Sequence, residues 1–316
     1  FSIFHTRVIM SRRSIFLLAA TVIMLYFSII LFMLSPLHGA KTVYYGNNYM
    51  NRLSFRQIPL VSWCKELRWH VPPKANVTAL VSYPGSGNTW LRYLLQQVTG
   101  IVTGSIYMDY DGSVLLVKTH EAPPRDPKRF ASAVLLIRNP RDAILADFNR
   151  LHKGHVGTAP KAAFRENVHE RKKSGNFPCS QSQYYLLEFE IFLSADWASY
   201  VKSQLRVWED LHHLWLTTFR GPLHIVFYEL LVRDTQRTLQ GILDFLRYNV
   251  TEDDMNCALL HREGIYRRKK IHDDFDPFTT DMYRALDIAK GKVLNLIAEY
   301  KKNYQKSHKD FSKANV

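Results

Sequence analysis

Cysteine is scarce: Cys64, Cys179 and Cys257 are the three in 316 residues. An oxidising compartment could join at most one pair and would leave an odd thiol, and spacing does not choose the pair. No internal repeat, heptad array or low-complexity tract occurs, which excludes solenoid and coiled-coil architectures. The histidine pairs His152/His155 and His212/His213 have no cysteine or carboxylate cluster at ligand spacing beside them, so no metal is expected. No G-x-S-x-G motif occurs, which removes that route to a covalent serine intermediate. Acidic residues are outnumbered, 28 against 42 Lys and Arg, giving a formal charge of +14 and a pI near 9.6. Such a field draws in anionic ligands such as nucleotides, sulfated glycans or membranes. Runs such as Arg171–Lys173 and Arg267–Lys270 read as solvated faces rather than sites.

What the chain does contain begins with a long apolar run. Ile15 to Leu34 carries no charge over about twenty residues, enough at 1.5 Å per helical residue to span roughly 30 Å of hydrocarbon. It exceeds the apolar core of a signal peptide, about 7–15 residues, and the stretch before Lys41 is a poor cleavage site. Arg7, Arg12 and Arg13 precede it, and the positive-inside rule keeps that flank cytoplasmic. The expected topology is single-pass type II: residues 1–14 a cytoplasmic tail, 15–34 a transmembrane signal-anchor, 35–75 a stem, 76–305 one lumenal domain and 306–316 a polar tail. Trp63 and Trp69 mark part of the stem as able to pack. The sequons Asn76-Val-Thr78 and Asn249-Val-Thr251 agree with a lumenal address and make Asn76 and Asn249 candidate glycosylation sites. Lumenal placement also separates the domain from nucleic acid, so no nucleic-acid partner is expected despite the basic charge.

From Val77 onward, short apolar runs bounded by turn residues alternate with longer amphipathic stretches, the pattern of βαβ units. The fold class expected is α/β, a P-loop-like parallel sheet flanked by helices. Strands over Thr78–Ser82, Val114–Thr119, Ala133–Arg138 and Leu223–Tyr228 are rich in Val, Leu and Ile, as strands buried on both faces should be. After the first of them, Tyr83 to Trp90 reads YPGSGNTW and enters a helical pattern with Leu91, Leu94, Leu95 and Val98 on one face. Glycines let a backbone approach an anion, and the free N–H groups and positive dipole end of the helix bind it. The loop is not a Walker loop, because Asn88 rather than lysine follows Gly87, nor a dinucleotide fingerprint, because Trp90 occupies the third glycine position. A phosphotransferase using ATP and Mg²⁺ would need that lysine and acidic metal ligands, and neither is evident.

The loop resembles that of the sulfotransferases that use PAPS (3′-phosphoadenosine 5′-phosphosulfate), commonly Y-P-K-S-G-T-T-W. Six of the eight positions agree, and Gly85 and Asn88 depart. The longer wording YPGSGNTWLRYLLQQVTGIVTGSIYMD is similar to the WSC-domain-containing (WSCD) sulfotransferase family, and the resemblance extends over residues 60–305. The chain has neither the length nor the cysteines for a WSC module, so a short member without modules is expected. The resemblance implies a Golgi membrane enzyme that takes PAPS as co-substrate and sulfates a hydroxyl of a glycan or glycoprotein, sialylated glycans included. It implies that Ser86, Gly87 and Thr89 hold the 5′-phosphate and Trp90 stacks on adenine, with Gly85 and Asn88 completing the cofactor loop. The family's loop lysine, which steadies the leaving oxygen, is replaced by Gly85.

Val114 to His120 reads VLLVKTH, and in an extended strand Lys118 and His120 share one side while Thr119 points away. At the carboxyl end of a central parallel strand, both reach the crevice where open α/β sheets bind ligands. Transfer to a hydroxyl needs a base, and neutral imidazole is suited to that near physiological pH. His120 is therefore the candidate base, and the K-T-H histidine of the family coincides with it. Negative charge builds on the departing phosphate, where an ammonium is worth most in a dry pocket; Lys118 is the candidate for that role. Arg138-Asn139-Pro140-Arg141-Asp142, with Pro140 and Asp142 suited to a helix's first turn, resembles the family's R-N-P-K-D element. That likeness implies that Arg138 pairs with the 3′-phosphate. The family's serine eight positions later is Ala146 here, so that contact is lost or replaced. Phe227–Leu230 and Arg262–Gly264 resemble the F-Y-E-D-L and R-K-G elements and add Tyr228, Arg262 and Gly264. The departures at Gly85 and Ala146 keep a different class open: a non-catalytic, membrane-tethered glycan- or nucleotide-binding protein that retains the fold.

Overall fold

The computed structural model describes residues 21, 24–25, 62–73, 76–106, 112–126, 129–154, 157–164, 196–266 and 275–314, with 306–314 by backbone alone. The expected membrane span over 15–34 lies outside the described residues apart from Thr21, Met24 and Leu25. Among the described residues no helix is long and apolar enough to cross a membrane. Cys179, His155 and the basic runs 171–173 and 267–270 also fall outside. The chain divides into the units Phe1–Arg56 and Gln57–Val316, and every element named below belongs to the second.

Five parallel strands form one sheet in the order β2-β3-β1-β4-β5: β1 Thr78–Ser82, β2 Gly104–Ser105, β3 Val117–Thr119, β4 Ser132–Ile137 and β5 Leu223–Phe227. The helices that matter for the site are α1 Asn88–Thr99, α2 Pro140–Lys153 and α3 Trp197–Thr217, followed after β5 by α4 Tyr228–Arg233, α5 Thr235–Phe245, α6 Glu252–Leu260 and α7 Thr280–Ala314. Successive strand residues point to opposite faces, and both faces are covered. Ala79, Val81, Leu135 and Ile137 pack on one side with Ile144 and Phe148 of α2, Trp208 and Trp215 of α3 and Val293 of α7. Leu80, Val134, Leu136 and Val226 pack on the other with Leu91, Leu94 and Leu95 of α1, Ile242 of α5 and Met255 of α6. Burial on both faces is why these strands read as unbroken apolar runs. Each fully buried Leu or Ile contributes about 1.5–3 kcal/mol of transfer free energy to holding the layers together.

β1 covers the residues expected. β4 begins at Ser132 and ends at Ile137, because Arg138 leaves the ladder, and β5 ends at Phe227, because Tyr228 opens α4. Residues 114–116 first pair sideways, Leu115 N–H donating to Val102 O (2.8 Å) and Gly104 N–H to Leu116 O (2.9 Å), so β3 joins β1 only from Val117. Their partner β2 has two residues, too short to leave a periodic signal in the sequence.

Part of the stretch assigned to the stem lies on the domain instead. Arg68 N–H donates to Gly100 O (2.8 Å), Val102 N–H to Arg68 O (3.0 Å) and His70 N–H to Ser113 O (2.6 Å). Trp69 packs on one core and Trp63 on the other. A Cys64–Cys257 disulfide, Cα atoms 5.9 Å apart, ties this segment to α6 across a separation of 193 residues. It settles the pairing that spacing left open.

Candidate active site

The turn from β1 into α1 is built by two left-handed glycines, Gly85 (φ 80°) and Gly87 (φ 91°). Neither has room for a side chain. A Cβ on Gly85 would overlap the Ala143 carbonyl oxygen and lie 2.8 Å from the Asp147 nitrogen, both on α2; one on Gly87 would lie 2.6 Å from the Tyr228 ring. The loop thus sits backbone against backbone on α2, and the missing family lysine is a steric consequence as well as a difference in sequence. No side chain caps α1, so the N–H groups of its first turn remain available to an anion. Ser86 Oγ, Asn88 Oδ1 and Arg138 Nε are buried without a partner around the same turn. Unsatisfied buried polar atoms are costly, and an anion with several acceptor oxygens would satisfy the Ser86 and Arg138 donors together.

The Asn88 side chain faces the end of the strand. Its amide nitrogen turns inward, donating to Ser82 Oγ (3.1 Å) and more weakly to Leu80 O (3.4 Å), so it braces the end of β1. Ser82 in turn receives His120: the imidazole Nδ1–H donates to the Ser82 carbonyl at 2.6 Å. A carbonyl only accepts, so this bond fixes the Nδ1–H tautomer and leaves Nε2 as the proton acceptor. Burial, then the neighbouring Lys118 charge, push His120 well below the usual 6.5 despite the opposing effect of the Ser82 carbonyl. The imidazole is neutral at pH 7. Lys118 stands two residues earlier on the same side of β3, where burial, then Arg92 and Arg150, lower its ammonium from 10.5 to about 7. It is a cation held among cations; Arg150 itself is paired to buried Asp147 (Nη2 to Oδ1, 2.6 Å), whose other oxygen accepts from Tyr200 OH (3.0 Å).

On the far side of the loop, Arg138 Nη1 donates to Gly85 O (2.8 Å), and its guanidinium lies 4.3 Å over the Tyr228 ring. Tyr228 meets Trp90 edge-on at 5.9 Å, and Trp90 Nε1 donates to Arg262 O (2.6 Å). Gly264 (φ 53°) lies so close to Tyr93 that a Cβ there would be 2.8 Å from the ring. Arg138, Tyr228, Trp90 and the 262–264 turn therefore form one continuous wall running from the glycine loop. The Arg262 side chain itself is half exposed beside Glu263 (3.7 Å). Ala146 lies on α2 without a hydroxyl to offer. The sequons lie elsewhere, with Asn76 and Asn249 both exposed.

Sequence reasoning missed Ser82, Asn88's inward turn and the Arg92–Arg150–Asp147 surroundings of Lys118, because none belongs to a motif and each matters through partners distant in sequence. Among the histidines read for metal, His152 and His212 donate Nδ1 to the carbonyls of Phe148 (2.9 Å) and Trp208 (2.5 Å), ordinary bonds within a helix. A third group was not foreseen: ligand atoms of Cys64, Cys257 and His261 lie within 4.8 Å of one another, but the disulfide occupies both sulfurs.

Comparison with known proteins follows the same residues. The family profile described as Sulfotransferase domain matches residues 109–263, which holds Lys118, His120, Arg138, Tyr228 and Arg262 but begins after the glycine loop. A WSCD family member of Aedes aegypti is 36% identical over 280 residues, covering 77% of this chain and 80% of that protein. WSCD family members of Drosophila pseudoobscura pseudoobscura and Drosophila melanogaster are 41% and 42% identical over 234 and 219 residues, 66% and 61% of their lengths. Among solved structures, a mouse sulfotransferase complexed with PAP aligns with 16% identity and a TM-score of 0.43 over 75% of this chain and 90% of that one. Retinol dehydratase in complex with androsterone and inactive cofactor PAP gives 15% and 0.43 over 71% and 82%. With more than a third of positions shared across four fifths of the mosquito protein, the chain belongs to the WSCD family and carries a sulfotransferase domain.

Proposed function

We propose that the protein is a PAPS-dependent sulfotransferase that moves a sulfuryl group to a carbohydrate hydroxyl by in-line transfer. The observation that carries this reading is His120: its Nδ1–H is committed to the Ser82 carbonyl, its charge is suppressed, and its Nε2 is left to accept beside the glycine turn. PAPS would supply an activated sulfuryl group whose bond to the bridging phosphate oxygen breaks as the acceptor oxygen bonds to sulfur. His120 Nε2 takes the hydroxyl proton. Lys118 donates to the phosphate oxygen that gains the charge, a role Gly85 has no space to fill. The α1 amides and Ser86 Oγ hold the 5′-phosphate, Arg138 the 3′-phosphate, and Trp90 with Tyr228 the adenine. Lys118→Met should lower turnover by about 10²–10³-fold, the usual cost of removing one charge-stabilising donor, with a smaller change in PAPS affinity; unchanged turnover would refute that role.

Sialylated glycans are the first acceptors to screen, following the family resemblance. For location we propose the Golgi membrane, type II, with the domain in the lumen, supported by the apolar run 15–34, its arginine flank, the exposed sequons and a disulfide suited to an oxidising compartment. A second reading, a binder without turnover, is favoured by Gly85 and Ala146, which remove two family contacts. The first test is the thermal midpoint with PAP, PAPS or ATP-Mg²⁺: a ligand at a hundredfold excess over Kd stabilises by about 2.7 kcal/mol. A shift with PAP and PAPS, weakened by Arg138→Ala, supports the nucleotide site; a shift with ATP-Mg²⁺ alone, or with none, overturns it. Sulfate transfer to glycans then separates enzyme from binder.

A further inference from the structure

The Cys64–Cys257 disulfide does not stand alone. Along α6 and its C-terminal cap, Asp254, Cys257 and His261 lie three and four residues apart and so share one face. Asp254 pairs with Lys65 (Oδ2 to Nζ, 2.6 Å), Cys257 with Cys64, and His261 Nδ1 lies 3.8 and 3.7 Å from the two sulfurs. The two joined segments are also bound to the outer face of α1. Gln97 is fully buried and binds the Cys64 segment directly and the other only through Tyr93: its Oε1 accepts from Cys64 N–H (2.8 Å), and its Nε2 donates to Ser62 O (2.8 Å) and Tyr93 OH (2.9 Å). Tyr93 OH donates to His261 O (2.8 Å), and one turn earlier Trp90 Nε1 donates to Arg262 O (2.6 Å). Trp63 and Tyr266 pack against Tyr93 at 5.6 and 5.2 Å.

We infer that this assembly is a positioning clamp for the far end of the nucleotide. The disulfide and Gln97 hold the 261–264 turn against Trp90, and through Trp90 fix the wall that continues to Tyr228 and Arg138. The glycine loop touches that wall at Tyr228 and Arg138 but is held in addition by contacts of its own, with α2 and with Ser82. Loosening the clamp should therefore weaken recognition of the adenosine and 3′-phosphate while sparing recognition at the loop. Gln97, Cys64 and Cys257 act only through Trp90 and the 262–264 turn and are positioning residues. The inference rests on the nucleotide reading proposed above.

The test is calorimetric titration of the oxidised full chain, as wild type, as Cys64→Ser/Cys257→Ser, and as Gln97→Leu, with two probes. PAP reports the whole site and inorganic pyrophosphate the loop alone. The double serine variant avoids leaving one thiol to mispair with Cys179, and Gln97→Leu breaks the clamp with the disulfide intact should the serine variant fail to fold. The expected result is an about tenfold weaker PAP complex in each folded variant, the size of one or two lost hydrogen bonds, with pyrophosphate affinity unchanged. A brace with no positioning role would lower the unliganded thermal midpoint and leave the PAP affinity alone, and that result overturns the inference. Equal weakening of both probes overturns it too. Wild-type protein that fails to bind PAP overturns the nucleotide reading and the clamp with it, whereas equal PAP affinity in wild type and variants removes the clamp alone.

Discussion

Restoring the family lysine at position 85 should damage the protein rather than improve it. Gly85 has φ 80°, and its Cβ direction runs into the Ala143 carbonyl oxygen and to within 2.8 Å of the Asp147 nitrogen. The left-handed backbone costs an L-residue about 1–2 kcal/mol, and forcing side-chain atoms into a packed contact costs a further 1–3 kcal/mol or so. Gly85→Lys should therefore lose about 2–5 kcal/mol, which for a domain of this size lowers the midpoint by roughly 5–15 °C. Gly154 provides the control. It shares a positive φ, 73°, with ψ −171°, a backbone essentially restricted to glycine, but a Cβ there meets nothing within 4 Å, so Gly154→Ala should show the cost of a glycine-only backbone without a clash. Thermal unfolding of Gly85→Ala, Gly85→Lys and Gly154→Ala, followed by PAP titration and turnover, separates the two costs. If Gly85→Lys unfolded no earlier than wild type, or turned over faster than wild type, the close packing of loop on α2 and the assignment of Lys118 as its substitute would both be wrong.

Further expectations follow from the same geometry. Lys118 is half-charged near pH 7 in the free protein, so PAP affinity should fall as pH rises from 7 to 9, by no more than Lys118→Met itself lowers it, and Lys118→Met should flatten that dependence. Because the folded value is depressed, the unfolded chain binds the extra proton, and the Lys118 contribution to stability grows as pH rises from about 7 toward 10.5; subtracting the Lys118→Met unfolding curve isolates it. His120→Ala should reduce turnover about 10²–10⁴-fold while PAP still shifts the thermal midpoint; a fully active variant would remove His120 as base. A chain beginning at residue 76 loses Cys64 and the 62–73 contacts and should be less stable by about 2–5 kcal/mol, the usual cost of a native disulfide, as read by denaturant unfolding.

Much of the site was legible because its chemistry is carried by backbone. Gly85, Gly87 and the strand before them announce a turn wherever they occur, and Lys118 and His120 share a side by the period of a strand alone. What remained hidden depends on partners distant in sequence. Nothing local marks Ser82 as the residue that sets the His120 tautomer, or the Asn88 side chain as a brace for the end of β1. Residues 62–73, read as stem, hold to the domain by backbone bonds, the Trp63 and Trp69 rings, the Gln97 amide, the Lys65–Asp254 pair and one disulfide, none of which leaves a periodicity. β2 escaped for the opposite reason: two residues pair correctly but are too few to form a pattern.

Both sequon threonines are used by the fold. Thr78 Oγ1 is bonded to Ser132 Oγ (2.8 Å) across β1 and β4, and Thr251 Oγ1 accepts from Asp254 N–H (3.2 Å) in the box that starts α6. An enzyme that reads Asn-x-Thr needs that hydroxyl in an accessible, extended chain. On the lumenal topology proposed above, sugar addition and folding therefore compete for the same atoms, and a glycan at Asn76 or Asn249 records that the modifying enzyme arrived first. Were the sequons modified, occupancy at Asn76 would report on the closure of the central sheet, and occupancy at Asn249 on the formation of α6.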